Sequence, residues 1–210
     1  LKRLDAAIED GDHIWGVVKG SAVSNDGAQK AGYSAPSPQG QASAITTAFQ
    51  IGDINPASLS YVECHCTGTV VGDGLEIRGL HEAFKSYPET LDMDSCAIGS
   101  VKGNIGHANC AAGITGLIKT LCMMKNKTLV PTANFKSLSE KVVLDNTPFH
   151  VNTELCEWQN KSDEVARRAG ISSFGIGGTN AHIVLEEYDQ LDSTSISLPT
   201  PTPSDAKWTI

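Results

Sequence analysis

The segment at residues 61–76, YVECHCTGTVVGDGLE, constrains the fold of this chain more than any other stretch. A short apolar run ends in Glu63 and His65, small and hydroxylated residues follow, and a Gly-Asp-Gly break precedes a helical pattern. This order predicts a strand that brings a histidine to the edge of a sheet, beside an open loop and before a helix. The segment therefore favours a layered α/β fold.

Two later segments have the same character. Residues 100–107, SVKGNIGH, and residues 172–182, SSFGIGGTNAH, are strand-like runs that lead into Gly-rich turns with polar tips. Turns that only reverse the chain do not require polar residues at three separate tips in one small domain. We therefore expect them to meet around one cleft.

The remaining elements follow from periodicity and turn residues. Helices are predicted over 1–10, 39–50, 72–85 and 109–125, and strands over 13–24, 59–64, 96–100, 168–174 and 180–187, with short β-like pieces within 130–158. The run 13–24 is almost continuously apolar, which predicts a strand covered on both faces. Strands that alternate with helices again indicate α/β layers.

The helix predicted over 109–125 has the clearest pattern in the chain. It carries Ile114, Leu117, Ile118 and Leu121 at positions that share one face, which we expect to be the buried face. Gly113 and Gly116 cost helix propensity, about 1 kcal/mol each relative to Ala, so we expect close packing against a neighbour at these positions.

Composition limits the domain organisation and the partners. The length of 210 residues suits one domain over 1–187 followed by a Ser/Thr/Pro-rich linker over 188–210 towards another domain. The net charge is −8 and the basic residues are scattered, which argues against a nucleic-acid partner. No apolar run reaches the length of a membrane span, so no membrane role is expected.

The six cysteines lie largely in apolar or helical runs, which predicts reduced, buried thiols in the cytoplasm. A metal site built from Cys64, His65 and Cys66 together with His107 and Cys110 is the alternative. There is no C-x-x-C pair, and alternate residues of a strand point to opposite faces, which would separate His65 from its two neighbours. No metal site is therefore predicted.

His65 and His107 each follow a predicted strand, so both imidazoles are expected in the same cleft. The helix predicted after His107 would place its positive end near that ring, and a positive field disfavours the imidazolium form. A neutral pair of histidines suits the stabilisation of an enolate or oxyanion. Two structural loop histidines without a chemical role are the alternative at this point.

Other groups could complete such a cleft. Lys102 would remain charged if a carboxylate faced it, and Glu76 and Glu63 are the two candidates. The turn 175–178, GIGG, offers unobstructed backbone N–H groups, which suit an oxyanion hole or a phosphate cradle. It lacks the full G-x-G-x-x-G pattern of a dinucleotide site.

These motifs resemble the signatures of the β-ketoacyl synthases. Residues 62–69, VECHCTGT, are similar to EAHGTGT, and residues 72–76, GDGLE, to its GDPIE continuation. Residues 101–107, VKGNIGH, resemble KSNIGH, and residues 174–186, FGIGGTNAHIVLE, resemble FGFGGTNAHVVLE, a form typical of type I polyketide synthases. The motifs stand in the family's order and spacing, and the resemblance covers about residues 1–187.

The resemblance implies the thiolase-like fold, of which this chain would be the C-terminal half of a layered αβαβα architecture. It implies decarboxylative Claisen condensation, in which an acyl chain held on an active-site Cys is extended by a malonyl-type unit on the phosphopantetheine arm of an acyl carrier protein. No directly bound cofactor is expected. The implied partners are the carrier protein, an upstream ketosynthase half, a neighbouring acyltransferase domain and a second copy in a homodimer.

The resemblance also assigns roles to residues. His65 and His107 match the two catalytic histidines that stabilise the thioester enolate, and Lys102 matches a lysine that orders the site, paired with Glu76. The residues that match substrate-contacting positions are Thr67 and Thr69 at the phosphopantetheine arm, Ile176 as an oxyanion-hole N–H donor, and Phe174, Gly177 and Gly178 in the same motif.

The sequence departs from the family pattern at several positions. Cys66 replaces a Gly, Gly74 a Pro and Gly103 a Ser, and Ile176 stands where the family usually has a gating Phe. We expect the last change to keep the backbone donor and to alter the gate of the acyl pocket.

The family's nucleophilic Cys lies in a DTACSSS-like motif far upstream, and no Cys precedes Cys64. The expectation is that a missing upstream half supplies the nucleophile and that this segment alone does not condense. A non-catalytic ketosynthase-like split partner or scaffold and the equivalent piece of a type I fatty acid synthase are the alternatives. The presence of His65, Lys102 and His107 favours the enzyme, because a scaffold has no physical need for them.

Overall fold

The computed structural model describes residues 1–28, 30, 32–87, 91–162 and 165–188. The helices are α1 (Leu4–Glu9), α2 (Pro38–Gly52), α3 (Gly72–Lys85), α4 (Lys102–Ile105) and α5 (Ala112–Lys125). The strands are β1 (Val17–Asn25), β2 (Tyr61–Glu63), β3 (Cys96–Gly99), β4 (Thr128–Leu129), β5 (Phe149–Val151), β6 (Cys156–Glu157), β7 (Arg168–Phe174) and β8 (Thr179–Glu186). The linker predicted over 188–210 lies, apart from Tyr188, outside the described residues.

Six strands form one mixed sheet in the order β1-β8-β7-β2-β3-β5. The strands β7, β2, β3 and β5 run parallel to one another, whereas β8 is antiparallel to both of its neighbours, β7 and β1. The strands β4 and β6 form a separate antiparallel pair. The last two strands in the sequence, β7 and β8, therefore lie between β1 and β2.

Helices cover both faces of this sheet. On one face, α2 and α3 pack against the sheet, and Phe49 of α2 and Phe84 of α3 meet edge to face with their ring centroids 5.5 Å apart. On the other face, α5 contributes Met123 and Met124 to a second apolar cluster with Tyr61 of β2. The arrangement is a helix–sheet–helix sandwich, so the prediction of an α/β fold is confirmed.

The helix α2 begins where its sequence favours a start. The Ser37 hydroxyl caps the helix by accepting a hydrogen bond from the Gly40 N–H at 3.2 Å, and Pro38 occupies the first turn. Proline is favoured there because its missing N–H would have no partner in the helix. This start fixes α2 over β1 and β8.

The strand β1 is shorter and less covered than predicted. It begins at Val17 and lies at an edge of the sheet, and its burial alternates along the strand. The side chains of Val18 and Val23 are exposed. The prediction that both faces are covered is wrong, because α2 packs on one face only and no described element covers the other.

The helix α5 is present but turned relative to the prediction. Its buried residues are Ala112, Gly116, Thr120, Met123 and Met124. Leu117 and Leu121 are half-buried, whereas Ile114 and Ile118 are 53% and 54% exposed. The helix has apolar residues on two sides, and the side with the smaller residues faces the sheet. The prediction of the buried face is therefore right for Leu117 and Leu121, which pack against the core, and wrong for Ile114 and Ile118.

The close packing predicted at the glycines of α5 is confirmed. A Cβ atom at Gly116 would lie 2.9 Å from Cγ of Glu63 in β2, and a Cβ atom at Gly113 would lie 3.2 Å from the side chain of Ser173 in β7. The missing side chains let α5 approach the strands that carry the site.

The burial of the cysteines agrees only in part with the prediction. All six cysteines are free, and Cys64 and Cys96 are buried, but Cys110, Cys122 and Cys156 are exposed. The prediction of buried thiols is wrong for these three. Within the described residues, no helix combines the length and the apolar content needed to cross a bilayer.

Candidate active site

The three motif tips meet at one edge of the sheet. The strand β2 is parallel to both β3 and β7, and Glu63 at its end pairs in register with Gly99 and Ile171. The carboxyl ends of these strands therefore point the same way, and the loops after β2, β3 and β7 are neighbours. We refer to the space between these three loops as the cleft.

His65 and His107 face each other in this cleft. Their ring centroids are 5.4 Å apart and their planes are nearly perpendicular, at 80°. The ring of Phe174, at the end of β7, lies 5.6 Å from that of His65. Residues from three distant parts of the chain thus form one cluster, with one aromatic wall.

Backbone amides hold both imidazoles at the same ring atom. The Phe174 N–H donates to Nδ1 of His65 at 3.3 Å, and the Asn109 N–H donates to Nδ1 of His107 at 3.0 Å. An Nδ1 that accepts a hydrogen bond has no proton, so in the neutral ring the proton is on Nε2. This hydrogen-bond pattern therefore assigns both rings as Nε2–H donors.

The environment of His65 keeps its ring neutral. Burial lowers the pKa of His65 to about 4, and the positive charge of Lys102 and the electrostatic interaction with His107 act in the same direction. A neutral His65 is the form expected from the sequence for a hydrogen-bond donor to an anion.

A titration of His65 tests this environment. The ordinary pKa of the imidazole is 6.5, so between pH 4 and 6.5 the unfolded chain binds more protons at this residue than the folded chain. The contribution of His65 to stability should therefore rise with pH across that window. Nuclear magnetic resonance of the ring nitrogens should give a midpoint of about 4 in the folded protein. A midpoint near 6.5 would contradict the buried, amide-bound ring.

The segment after His107 differs slightly from the prediction. Asn109 has a left-handed backbone, with φ of 50°, and begins a 3-10 turn over Asn109–Ala111 before α5 starts at Ala112. Asn tolerates this conformation better than most residues. The turn aims the Asn109 N–H at His107, so the backbone and not the α-helix end makes the direct contact with the ring.

Lys102 lies at the start of α4, at the edge of the cleft. Its charge lowers the pKa of His65 and also that of Glu76. Among the described residues, no carboxylate forms an ion pair with Lys102 within 4.0 Å. The direct pairing with Glu76 or Glu63 that the sequence suggested is therefore wrong for this structure.

Glu76 instead holds the backbone of the His65 loop. One carboxylate oxygen accepts from the His65 N–H at 2.7 Å and the other from the Cys66 N–H at 2.8 Å. Its side chain lies in α3 and the residue is 4% exposed. Burial raises the pKa of Glu76 to about 7, and the two amide hydrogen bonds oppose that rise. Glu76 thus positions the loop that carries His65 through two backbone donors.

Glu63 belongs to a buried polar network that the sequence analysis missed. Its Oε2 accepts from Lys119 Nζ at 2.8 Å and from the Tyr61 hydroxyl at 2.6 Å, and its Oε1 accepts from the Val101 N–H at 2.6 Å. The network ties β2 to α5 and to the loop before α4. Lys119 lies inside an apolar helical run, and this position is the sign in the sequence that could have indicated the network.

The turn 175–178 presents backbone donors to the cleft. Gly177 and Gly178 have φ of 104° and 98°, values that L side chains rarely adopt. Ile176 is 83% exposed. No described residue accepts a hydrogen bond from the Ile176 N–H. An oxyanion could therefore receive this donor, as expected from the sequence.

A buried pair that the sequence analysis missed anchors this turn. The Asn180 side chain donates to Oδ1 of Asp26 at 2.7 Å, and the Asp26 N–H donates to the Gly178 carbonyl at 2.8 Å. Both residues are nearly fully buried. The start of β8 and the end of β1 therefore fix the position of the turn.

Thr67 and Thr69 lie in the exposed loop between β2 and α3. Their hydroxyl oxygens are 3.4 Å apart, and that of Thr69 accepts from the Gly72 N–H at 3.2 Å. The Thr69 hydroxyl thus binds the first N–H group of α3. Both threonines are exposed.

The two glycines that depart from the motif lie against neighbouring backbone. A Cβ atom at Gly103 would lie 2.3 Å from the Ala133 carbonyl oxygen, and one at Gly74 would lie 2.5 Å from the Lys141 carbonyl oxygen. The segment 133–141 thus packs more closely against α3 and α4 than a Ser or Pro at these positions would permit.

Comparison with known proteins agrees with this geometry. Residues 15–136 match the family described as "Beta-ketoacyl synthase, C-terminal domain", and residues 139–204 match "Ketoacyl-synthetase C-terminal extension". The chain belongs to the β-ketoacyl synthase family. The extension match runs to residue 204 and so includes most of the predicted linker.

The β-ketoacyl synthase relatives are polyketide synthases. A phenolphthiocerol/phthiocerol polyketide synthase of Mycobacterium tuberculosis is 51% identical over 187 residues, which cover 89% of this chain and 12% of the relative. "Polyketide synthase PksN" of Bacillus subtilis is 47% identical over 203 residues, which cover 92% of this chain and 4% of the relative. The chain thus spans a small part of the length of these relatives.

Solved ketosynthase structures have the same fold. The "Ketosynthase from module 6 of the bacillaene synthase from Bacillus subtilis 168" has a TM-score of 0.85 and 46% identity, covering 90% of this chain and 33% of that one. A "ketosynthase twelve" from Bacillus amyloliquefaciens has a TM-score of 0.84 and 40% identity, with the same coverage. The prediction of the C-terminal half of a thiolase-like ketosynthase of the type I polyketide kind is confirmed.

Proposed function

We propose that this chain forms the enolate-stabilising half of a ketosynthase that catalyses decarboxylative Claisen condensation. The observation that carries the proposal is the matched pair of imidazoles. The ring centroids of His65 and His107 are 5.4 Å apart, and a backbone amide holds each ring at Nδ1. This arrangement leaves two Nε2–H donors for one oxygen. Donors fixed in advance stabilise a developing anion without reorganisation during the reaction.

In the proposed reaction, the bond between the malonyl carboxylate and the adjacent carbon breaks, and its electron pair forms a thioester enolate. The Nε2–H groups of His65 and His107 donate to the enolate oxygen, so CO2 leaves without a full charge on carbon. The enolate carbon then attacks the acyl thioester held on a cysteine. A new carbon–carbon bond forms, the carbon–sulfur bond breaks, and the sulfur leaves as thiolate.

Other residues of this chain have supporting roles in the proposal. The Ile176 N–H donates to the oxyanion that forms on the acyl carbonyl, and Gly177 and Gly178 keep the approach open. The hydroxyls of Thr67 and Thr69 contact the phosphopantetheine arm of an acyl carrier protein, which brings the malonyl unit. The charge of Lys102 favours the neutral form of His65.

An upstream ketosynthase half supplies the nucleophilic cysteine in this proposal. The outward side of α5 supports such a partner, because Ile114, Ile118 and Cys122 are exposed at successive turns of one helix. An apolar stripe of this kind is unusual on a surface that no partner covers. The relatives are much longer proteins, which fits further partners: an acyltransferase domain and a second copy in a homodimer. The proposed location is the cytoplasm.

The experiment uses the complete ketosynthase domain, expressed with the upstream half that carries the cysteine. Acyl-primed protein is mixed with a malonyl-loaded carrier protein, and released CO2 and the β-ketoacyl product are measured by isotope release and mass spectrometry. Stoichiometric CO2 and product are expected. If the cysteine is acylated but neither CO2 nor product appears, the function is that of a scaffold and the proposal fails.

A further inference from the structure

Two thiols lie together behind the catalytic histidine. The backbone of β2 continues beyond Glu63, and the Cys64 N–H still donates to the Gly99 carbonyl at 2.8 Å. In extended chain, residues two apart share a face. Cys64 and Cys66 accordingly pack in the apolar cluster under α2 and α3, whereas His65 between them faces His107.

A buried carboxylate joins these two thiols. Glu76 projects from α3, and its carboxylate and the Sγ atoms of Cys64 and Cys66 all lie within 4.8 Å of one another. Cys64 and Glu76 are buried, and Cys66 retains part of its surface. Two sulfurs and one oxygen thus lie around one point, and Cys66 is the member of the cluster that is not fully buried.

The unused lone pairs and the negative charge of this cluster suit a cation. Each carboxylate oxygen of Glu76 accepts one amide hydrogen bond, and a carboxylate has about four lone-pair sites, so both oxygens can still bind a further group. Within the described residues, no cation forms an ion pair with Glu76, although the charge of Lys102 reaches it. The carboxylate of Asp73 adds a second negative charge near Cys66.

We propose that Cys64, Cys66 and Glu76 form a site for one thiophilic divalent cation of the Zn²⁺ class. Two thiolates and one carboxylate are ligands that zinc accepts, and a water molecule would complete a tetrahedral set. The two thiol protons pass to solvent when the ion binds. The amide hydrogen bonds that Glu76 makes to the His65 loop are retained.

The site lies outside the condensation chemistry. The ion would join the chain after β2 to α3 on the side of the sheet opposite the imidazoles, and it would touch no reacting atom. Its expected effect is to hold the His65 loop to Glu76. The proposal therefore does not depend on the condensation reaction, and each can fail without the other.

The test uses Cd²⁺ as the probe, because cadmium–thiolate bonds give an ultraviolet charge-transfer band. The complete ketosynthase domain is reduced, freed of metal and titrated with Cd²⁺. We expect the band to saturate at one ion per domain and Zn²⁺ to displace the cadmium. The Cys66→Ala variant should lose binding by at least the roughly 10–100-fold that even the loss of an outer-shell partner costs.

Three variants sharpen the result. Cys64→Ala should abolish the band, and Glu76→Gln should weaken binding while both thiols remain. The matched control is Cys96→Ala, which removes a buried thiol of β3 outside the cluster and should leave the titration unchanged. Zn²⁺ should also raise the melting temperature of the unmodified domain but not that of Cys66→Ala. Absence of a saturating band, or an unchanged affinity for Cd²⁺ in Cys66→Ala, overturns the proposal.

Discussion

Replacing His107 with alanine in the complete ketosynthase domain should lower malonyl decarboxylation by about 10²–10³-fold, the usual cost of removing one donor to an oxyanion. His107 provides one of two Nε2–H donors, and the Asn109 N–H fixes its ring. The enolate exists only after CO2 has left, so transfer of an acyl chain to the upstream cysteine should continue at close to its normal rate. Release of CO2 and acylation of the cysteine are measured separately, by isotope release and intact mass.

The matched control for His107 is His13. Its imidazole is exposed, lies before β1 and contacts Trp15 rather than the cleft. Replacing His13 with alanine should leave both reactions unchanged. Loss of acylation with normal decarboxylation in the His107 variant would show that this residue serves the other half-reaction.

Replacing Lys119 with methionine should lower the free energy of unfolding by about 3–5 kcal/mol, the typical cost of leaving one charge of a buried pair without its partner. Lys119 Nζ lies 2.8 Å from Glu63 Oε2 and 2.9 Å from the Tyr61 hydroxyl, and the side chain of Glu63 is 2% exposed. Denaturant unfolding of the complete domain measures the loss.

Two further variants separate burial from charge in this test. The exposed pair Arg78–Glu82 of α3 is the control, and Arg78→Met should cost at most about 0.5 kcal/mol, as surface pairs usually do. Combining Lys119→Met with Glu63→Gln should recover part of the loss, because the neutral amide costs less to bury. A loss in Lys119→Met no larger than that in Arg78→Met would mean that water reaches Glu63.

Much of the architecture could be predicted because local signals agreed with the tertiary structure. The helix α3 and the strand β7 have the predicted bounds, since glycines and polar turns mark their ends. The meeting of His65 and His107 was expected because each histidine follows a predicted strand. The three motifs then allowed the family to be recognised.

The errors arose where the partner of an element is not visible in the sequence. Periodicity identified α5 but not the side that faces the sheet, because Ile114 and Ile118 on one side compete with Met123 and Met124 on another. The face of a helix with the larger side chains is not always the buried one, because a face with small residues lets the helix approach the sheet more closely. The expectation therefore failed for Ile114 and Ile118.

Backbone donors explain the error at Glu76. Charge pairing suggested Lys102 as its partner, but two amide N–H groups of the His65 loop bind the carboxylate. Every residue except proline carries such a donor, so sequence gives no sign of which ones a side chain will use. The pairing of Glu63 with Lys119 was missed for a related reason, because their contact is set by the packing of α5 on β2.

The strand order has a consequence for how this protein is made. β1 and β2 are synthesised early, but β8 and β7 occupy the two positions between them, and these strands are the last of the sheet to leave the ribosome. Until residue 174 has emerged, β2 lacks one of its two neighbours, and until residue 186 has emerged, β1 lacks its neighbour β8. Sheet formation must therefore wait for nearly the whole segment, as in other folds in which distant parts of the chain pair. During that wait the nascent chain exposes two unpaired strand edges, and protecting them is a task for the chaperones that bind growing polypeptides.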